Sequence, residues 1–147
     1  MKYMLIMRAT DAAVEASKSM PMEEMLNQMG AYNEELMTAG VMTGGEGLAY
    51  PEDRANFVLD FAQDPPTVSD APYSETEALF NGFWMIEVPT REDAVNWASK
   101  CPLGPGSKLE VRRVQTEEDF ADFADNEYIQ KEAGWREELN RPAGGNP

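Results

Sequence analysis

VSDAPYSETEALFNGFWMIEV, Val68 to Val88, is the stretch from which the fold is read. Its opening, Asp70, Ala71, Pro72 and Tyr73, is an acidic turn, because Asp bonds to backbone just ahead of it and Pro presets a turn φ. Ser74, Glu75, Thr76 and Glu77 then suit one turn of polar helix, and Phe83, Trp84, Met85 and Ile86 an aromatic strand. A loop held by a rigid strand is where functional side chains concentrate, so the first candidates for a site come from here.

Working back from this stretch, Ala55, Phe57, Leu59 and Phe61 alternate with Asn56, Val58 and Asp60, the period of a half-buried strand ended by Asp64, Pro65 and Pro66. Val41 to Tyr50 (VMTGGEGLAY) reads as a strand whose Gly44, Gly45 and Gly47 mark a bulge or the close approach of a ligand. Pairing these two strands predicts a hairpin. Before them, Met22, Met25, Leu26, Met29, Tyr32, Leu36 and Met37 form one apolar stripe at helical spacing over Met20 to Ala39, with Pro21 and Glu23 in the first turn and Gly40 as the stop. Asp11 to Ser17 is open between short helix and connector, and Lys2 to Met7 is an apolar run of strand length, as a central strand requires.

Working forward, Thr90 and Asp93 have the spacing of a capping box and open a helix over Ala94, Val95, Trp97, Ala98 and Cys101. Pro102, Gly104, Pro105 and Gly106 end it, and Lys108 to Val114 is the last strand. The order strand, helix, strand, strand, helix, strand is that of a ferredoxin-like split βαβ fold of the α+β class, with an insertion before the fourth main strand. Such a sheet is antiparallel with both helices on one face. The other face needs cover, and a second copy of the chain supplies it, so a homodimer enclosing a pocket is expected. Residues 1–114 form the expected domain, 115–140 an acidic, partly helical extension, and 141–147 a disordered tail.

A chain of 147 residues with 42% hydrophobic and 27% charged residues has globular composition, and its ten Met suit adaptable packing. A net charge of -15 repels phosphates and anionic lipid, which argues against nucleic acid and membrane surfaces as partners. No apolar run reaches the roughly 20 residues of a span, and Met1 to Met7 is too short for a signal peptide. The one cysteine, Cys101, fits a reducing compartment, so a cytoplasmic location is expected. The absence of histidine removes serine–histidine and cysteine–histidine chemistry and most zinc sites. No cofactor and no metal are expected. Glu117, Glu118, Asp119 and Asp122 lack calcium-loop spacing and read as a solvated face.

KYMLIM, GVMTGGEGLAYP, VSDAPYSETEALFNGFWMIEV and AVNWASKCPLGPGSKLEVRRV together resemble the YCII-related family, specifically its DGPF-motif branch, from Met1 to about Val114. The branch motif reads here Asp70, Ala71, Pro72, Tyr73, with Ala71 in place of glycine and Tyr73 in place of phenylalanine. An alanine there calls for an ordinary backbone region. The resemblance implies a dimeric ferredoxin-like fold and little about activity. Relatives have been proposed to act through a histidine and aspartate pair. This chain has no histidine, and Cys101 stands before Pro102 where that aspartate falls, so the pair is absent. Some relatives are encoded beside, or fused to, sigma factors, which implies a regulatory context.

The candidate residues each carry two readings. Asp70, Glu75 and Glu77 are paired carboxylates for proton transfer if desolvated against Trp84 or Tyr73; otherwise Asp70 holds its turn and caps the following helix. Glu46, set between glycines, borders a pocket or sits solvated at a sheet edge. Arg8 and Arg112 capture an acidic ligand or pair with a carboxylate such as Glu46. Tyr3, Tyr32, Tyr73, Phe83 and Trp84 line a pocket or fill the core. Cys101 reads as a buried structural thiol. The leading expectation is a dimeric small-molecule-binding or regulatory module whose site is bordered by Arg8, Glu46, Asp70, Tyr73 and Trp84. A second is a cofactor-independent isomerase or lyase using Asp70 or Glu75. In a third, Phe120, Phe123 and Trp135 of the acidic extension dock a protein partner.

Overall fold

The computed structural model describes residues 1–70, 72–73 and 79–139. The expected helical turn over 74–77, the backbone at residue 71 and the expected tail at 141–147 lie outside the described residues. By its contacts the chain divides into two units, Met1–Val114 and Gln115–Pro147.

In the first unit, β1 (Lys2–Arg8) lies between β5 (Phe80–Glu87) and β6 (Lys108–Arg113), and β2 (Met42–Gly47) lies on the far side of β5. Every neighbouring pair is antiparallel, and the order β2-β5-β1-β6 is that of the ferredoxin-like α+β fold. Strand side chains alternate between faces. Tyr3 and Leu5 on β1 and Trp84 and Ile86 on β5 therefore share one face, where they meet Tyr32 and Leu36 of α2 (Met22–Thr38) and Ala94 of α3 (Arg91–Ser99). Leu5, Leu36 and Ile86 are fully buried and form the centre of this core.

Local chemistry sets the ends of these elements. At the start of α3 the Thr90 hydroxyl accepts from the Asp93 N–H at 3.1 Å while the Asp93 carboxylate accepts from the Thr90 N–H at 3.2 Å, the reciprocal box read from the sequence. Gly40, with φ 68°, stops α2 in the left-handed region where a Cβ is costly. Asp11–Ser17 is helical (α1), and Thr10 caps it by accepting from the Ala13 N–H at 3.0 Å while donating to the Gly106 carbonyl at 2.7 Å. In β2 the register slips between Met42 and Gly44, which is the bulge reading of the glycines. A Cβ on Gly45 would stand 2.8 Å from the Phe83 carbonyl, so β5 itself is what approaches closely there.

Two sequence expectations need correction. The segment around Phe57 to Phe61 does not pair with β2. Its regular part, β3 (Val58–Asp60), pairs with β4 (Thr67–Ser69) in a separate two-stranded sheet. Alternation reveals that a strand has two faces but not which strand it pairs with, and the ten residues between β2 and β3, with Pro51 among them, do not make a tight hairpin. The α2 stripe is also narrower than its periodicity implies. Tyr32 and Leu36 are buried, but Met22, Leu26 and Met37 are exposed, since the sheet touches only the inner arc of the helix.

The second unit holds a 3₁₀ segment, Glu117–Phe123, and α4 (Glu127–Leu139). The i, i+4 pairs Glu127–Lys131 and Glu132–Arg136 form, the latter at 2.6 Å. Phe120 is half-buried, whereas Phe123 and Trp135 are exposed. Among the described residues no helix is long and apolar enough to cross a membrane.

Candidate functional site

The strand register lays out the sheet face opposite α2 and α3 row by row. One row runs Glu46, Phe83, Ile6, Glu110 and the next Gly44, Met85, Met4, Arg112, each residue facing its neighbour across the ladder. At one end Arg8 lies between Phe80 and Lys108. The middle of this face is thus an apolar patch of Ile6, Phe83, Met4 and Met85, with acid on the β2 edge and a mixed, mainly basic edge along β6.

Two cations of this face, Arg8 and Arg112, pair with Glu110. Arg8 reaches its carboxylate through both Nε and Nη2 at 2.9 Å, and Arg112 approaches the other oxygen at 3.8 Å. Glu46, the partner suggested by the sequence, lies two strands from Arg8. At about 4.8 Å per strand that is roughly 10 Å, whereas Glu110 is on the adjoining strand. Glu110 thus lies between two guanidiniums. Glu110 was legible only through register: the alternation of Lys108, Glu110 and Arg112 marks them as one face, but nothing local says that Arg8 faces it.

A concavity of this unit lies beside the start of β5. A cavity of about 410 Å³ opens where β2 and β5 meet the loops around β3, lined among others by Leu48, Phe57, Pro72, Tyr73, Leu79, Phe80, Asn56 and Asn81. Phe80 links it to the sheet face, because its ring packs against Phe83 with centroids 5.9 Å apart. The walls are mostly apolar and the two asparagines bring polar groups, a composition that suits small organic molecules. The Asn56 side chain is held by donating to the Tyr50 carbonyl at 2.8 Å.

The sequence-predicted residues divide as follows. Arg8 and Glu46 stand on the face opposite the helices, and Tyr73, itself largely exposed, lines the cavity. Asp70 is exposed rather than enclosed, and Glu75 lies outside the described residues. Trp84 is elsewhere. Strand parity turns it away from Phe83 into the helix-covered core, where its Nε1 donates to Asn33 Oδ1 at 2.7 Å and its ring meets Tyr32 edge-on at 5.6 Å. Tyr3 and Tyr32 are core as well, and the Tyr32 hydroxyl donates to the Trp97 carbonyl at 3.0 Å. Burial, with Cys101 and Glu35 nearby, pushes the Tyr32 phenol well above its usual range. Cys101 is half-buried just past α3, and burial pushes its thiol up to about 11. It is a poor nucleophile there. Among the described residues no cluster of three or more Cys, Asp or Glu is placed to hold a metal ion.

Comparison with known proteins agrees with this architecture. No curated protein matches the chain. A family model, that of the YCII-related domain, matches residues 1–118, which takes in every strand of the sheet and both helices that cover it. The chain therefore belongs to the YCII-related family.

Proposed function

We propose that this protein is a dimeric small-molecule-binding or regulatory module of the DGPF-motif branch, and that its ligand enters the cavity beside Tyr73 and Phe80. One observation carries the reading: a mostly apolar concavity of about 410 Å³ is lined by Phe80, whose ring packs against Phe83 at the apolar centre of the sheet face. That volume lies within the roughly 300–1,000 Å³ typical of ligand sites. The turn residues Asp70, Pro72 and Tyr73 support the branch, since Pro72 and Tyr73 of that motif line the cavity. The apolar patch supports a dimer, because its half-buried members Phe83, Met4 and Met85 lose their remaining contact with water against a second copy. The isomerase or lyase alternative through Asp70 has less support, as it needs an enclosed carboxylate and Asp70 is exposed.

Thermal-shift screening of small metabolites tests the reading. A compound at about 100 times its dissociation constant stabilises the fold by roughly 2.7 kcal/mol. Tyr73→Ala, at an exposed position, leaves the unliganded melting temperature within a degree or two and abolishes the ligand shift. A hit whose shift survives both Tyr73→Ala and Phe80→Ala sinks the assignment of the site.

A further inference from the structure

Residues 48–70 leave the sheet after β2, form the β3–β4 hairpin and return toward β5. Their large apolar side chains do not join the core of their own chain. Tyr50 is 76% exposed, Phe61 75%, Val68 64% and Phe57 62%. Leu59 and Val68 pair across the hairpin and so present one apolar face, also exposed. Solvated apolar side chains scatter singly over ordinary surfaces, but a run gathered in one excursion marks a surface that binds something. The charge of the segment indicates what. It carries Glu52, Asp53, Asp60, Asp64 and Asp70 against Arg54 alone. In a chain of net charge -15, most of its own surface repels such an arm. The β6 edge of the sheet face, where Lys108 and Arg112 flank Glu110, is the complementary exception among the described residues, and it borders the apolar patch.

We infer that the arm of residues 48–70 docks on a second copy of this chain. Leu59 and Val68 cover Met4 and Met85 of the mate, and the arm's aspartates lie along the Lys108–Arg112 edge. A twofold axis makes the exchange reciprocal, so each copy both gives and receives an arm, and the association closes at two. The inference rests on the dimer reading above and adds to it the segment that makes the contact. Each ligand site then lies at the base of an arm clamped by the other copy.

Cross-linking tests this directly. In a Cys101→Ala background, chains carrying Val68→Cys and chains carrying Met85→Cys are co-expressed with distinguishable tags and treated with a short bis-maleimide. The expected product is the mixed arm-to-face dimer. Predominance of Met85→Cys chains linked to one another means that sheet faces meet without the arm; this overturns the exchange and leaves the dimer standing, as does a dimer that yields no mixed product. A monomer at every concentration by light scattering overturns both. In the otherwise native chain, Leu59→Glu with Val68→Glu, both at exposed positions, is expected to weaken association at least tenfold with an unchanged far-ultraviolet spectrum. Half-molar salt is expected to weaken it several-fold, because surface charge pairs are screened at that strength. An association indifferent to both overturns the proposal.

Discussion

The central strands and the arm are written in the same local code and meet opposite fates. In β1 and β5 apolar residues sit on both faces, and one face ends against Leu36 and Ala94, so Leu5 and Ile86 lose all contact with water. In the arm, Phe57, Leu59 and Phe61 alternate as regularly with Asn56, Val58 and Asp60, yet those three rings and side chains stay exposed. An alternating pattern promises a buried face. The partner that buries it comes from elsewhere in the chain, or from outside it.

The sharpest way to break the comparison is to remove equal chemistry from each side. Ile86→Ala deletes a fully buried side chain from the middle of the sheet and is expected to cost about 2–5 kcal/mol, the span set by how far the cavity collapses. Urea unfolding measures it through the shift of the midpoint at constant slope. A loss below about 1 kcal/mol would mean that the helices do not seal that face.

This contrast also explains how far the sequence could be read. The first strand, the Thr90–Asp93 box, the Gly40 stop and the element order rest on local signals, and local signals are what a chain displays. The partner of the segment around Phe57 depends on contacts between remote residues, and so does the carboxylate that Arg8 meets. Neither is written within a few positions of the residue concerned. Trp84, expected to border the site with Tyr73 or to fill the core, lies in the helix-covered core. Adjacent strand residues face opposite ways, so Trp84 cannot share the face of Phe83, and Tyr3 and Leu5 mark the side that the helices cover. Met22, Leu26 and Met37 fit the helical stripe but lie beyond the width of the sheet beneath it, which no periodicity reports.

Thiol chemistry sharpens the comparison with a smaller effect. Cys101, with its thiol raised by burial from 9.0 to about 11, holds far less thiolate near pH 8 than an exposed thiol does. It should alkylate more than tenfold more slowly than the cysteine of a Val68→Cys, Cys101→Ala variant, read by maleimide labelling. The same shift predicts a pH dependence. The folded state holds the proton more tightly than the unfolded one, so this contribution is complete below about pH 9.0 and is lost as pH rises through about 11. Cys101→Ala should flatten that part of the stability profile, leaving the further alkaline loss due to Tyr32. Rapid labelling of Cys101 in the native chain would show that the region past α3 is as open as the arm.

The smallest effect tests the arm most cleanly. Phe61 is 75% exposed and joins no core cluster, so Phe61→Ser removes an aromatic ring that the isolated chain hardly uses. At concentrations where the protein is monomeric, its unfolding free energy should move by no more than about 0.5 kcal/mol, the usual range for surface changes. A large loss there would mean that the arm packs within its own chain and belongs with the core. A negligible loss in dilute solution, joined to a stability that falls behind the native protein's only as concentration rises, has a different origin. Binding to the folded state alone stabilises it by mass action, so a side chain that matters only at high concentration is one whose partner is another molecule.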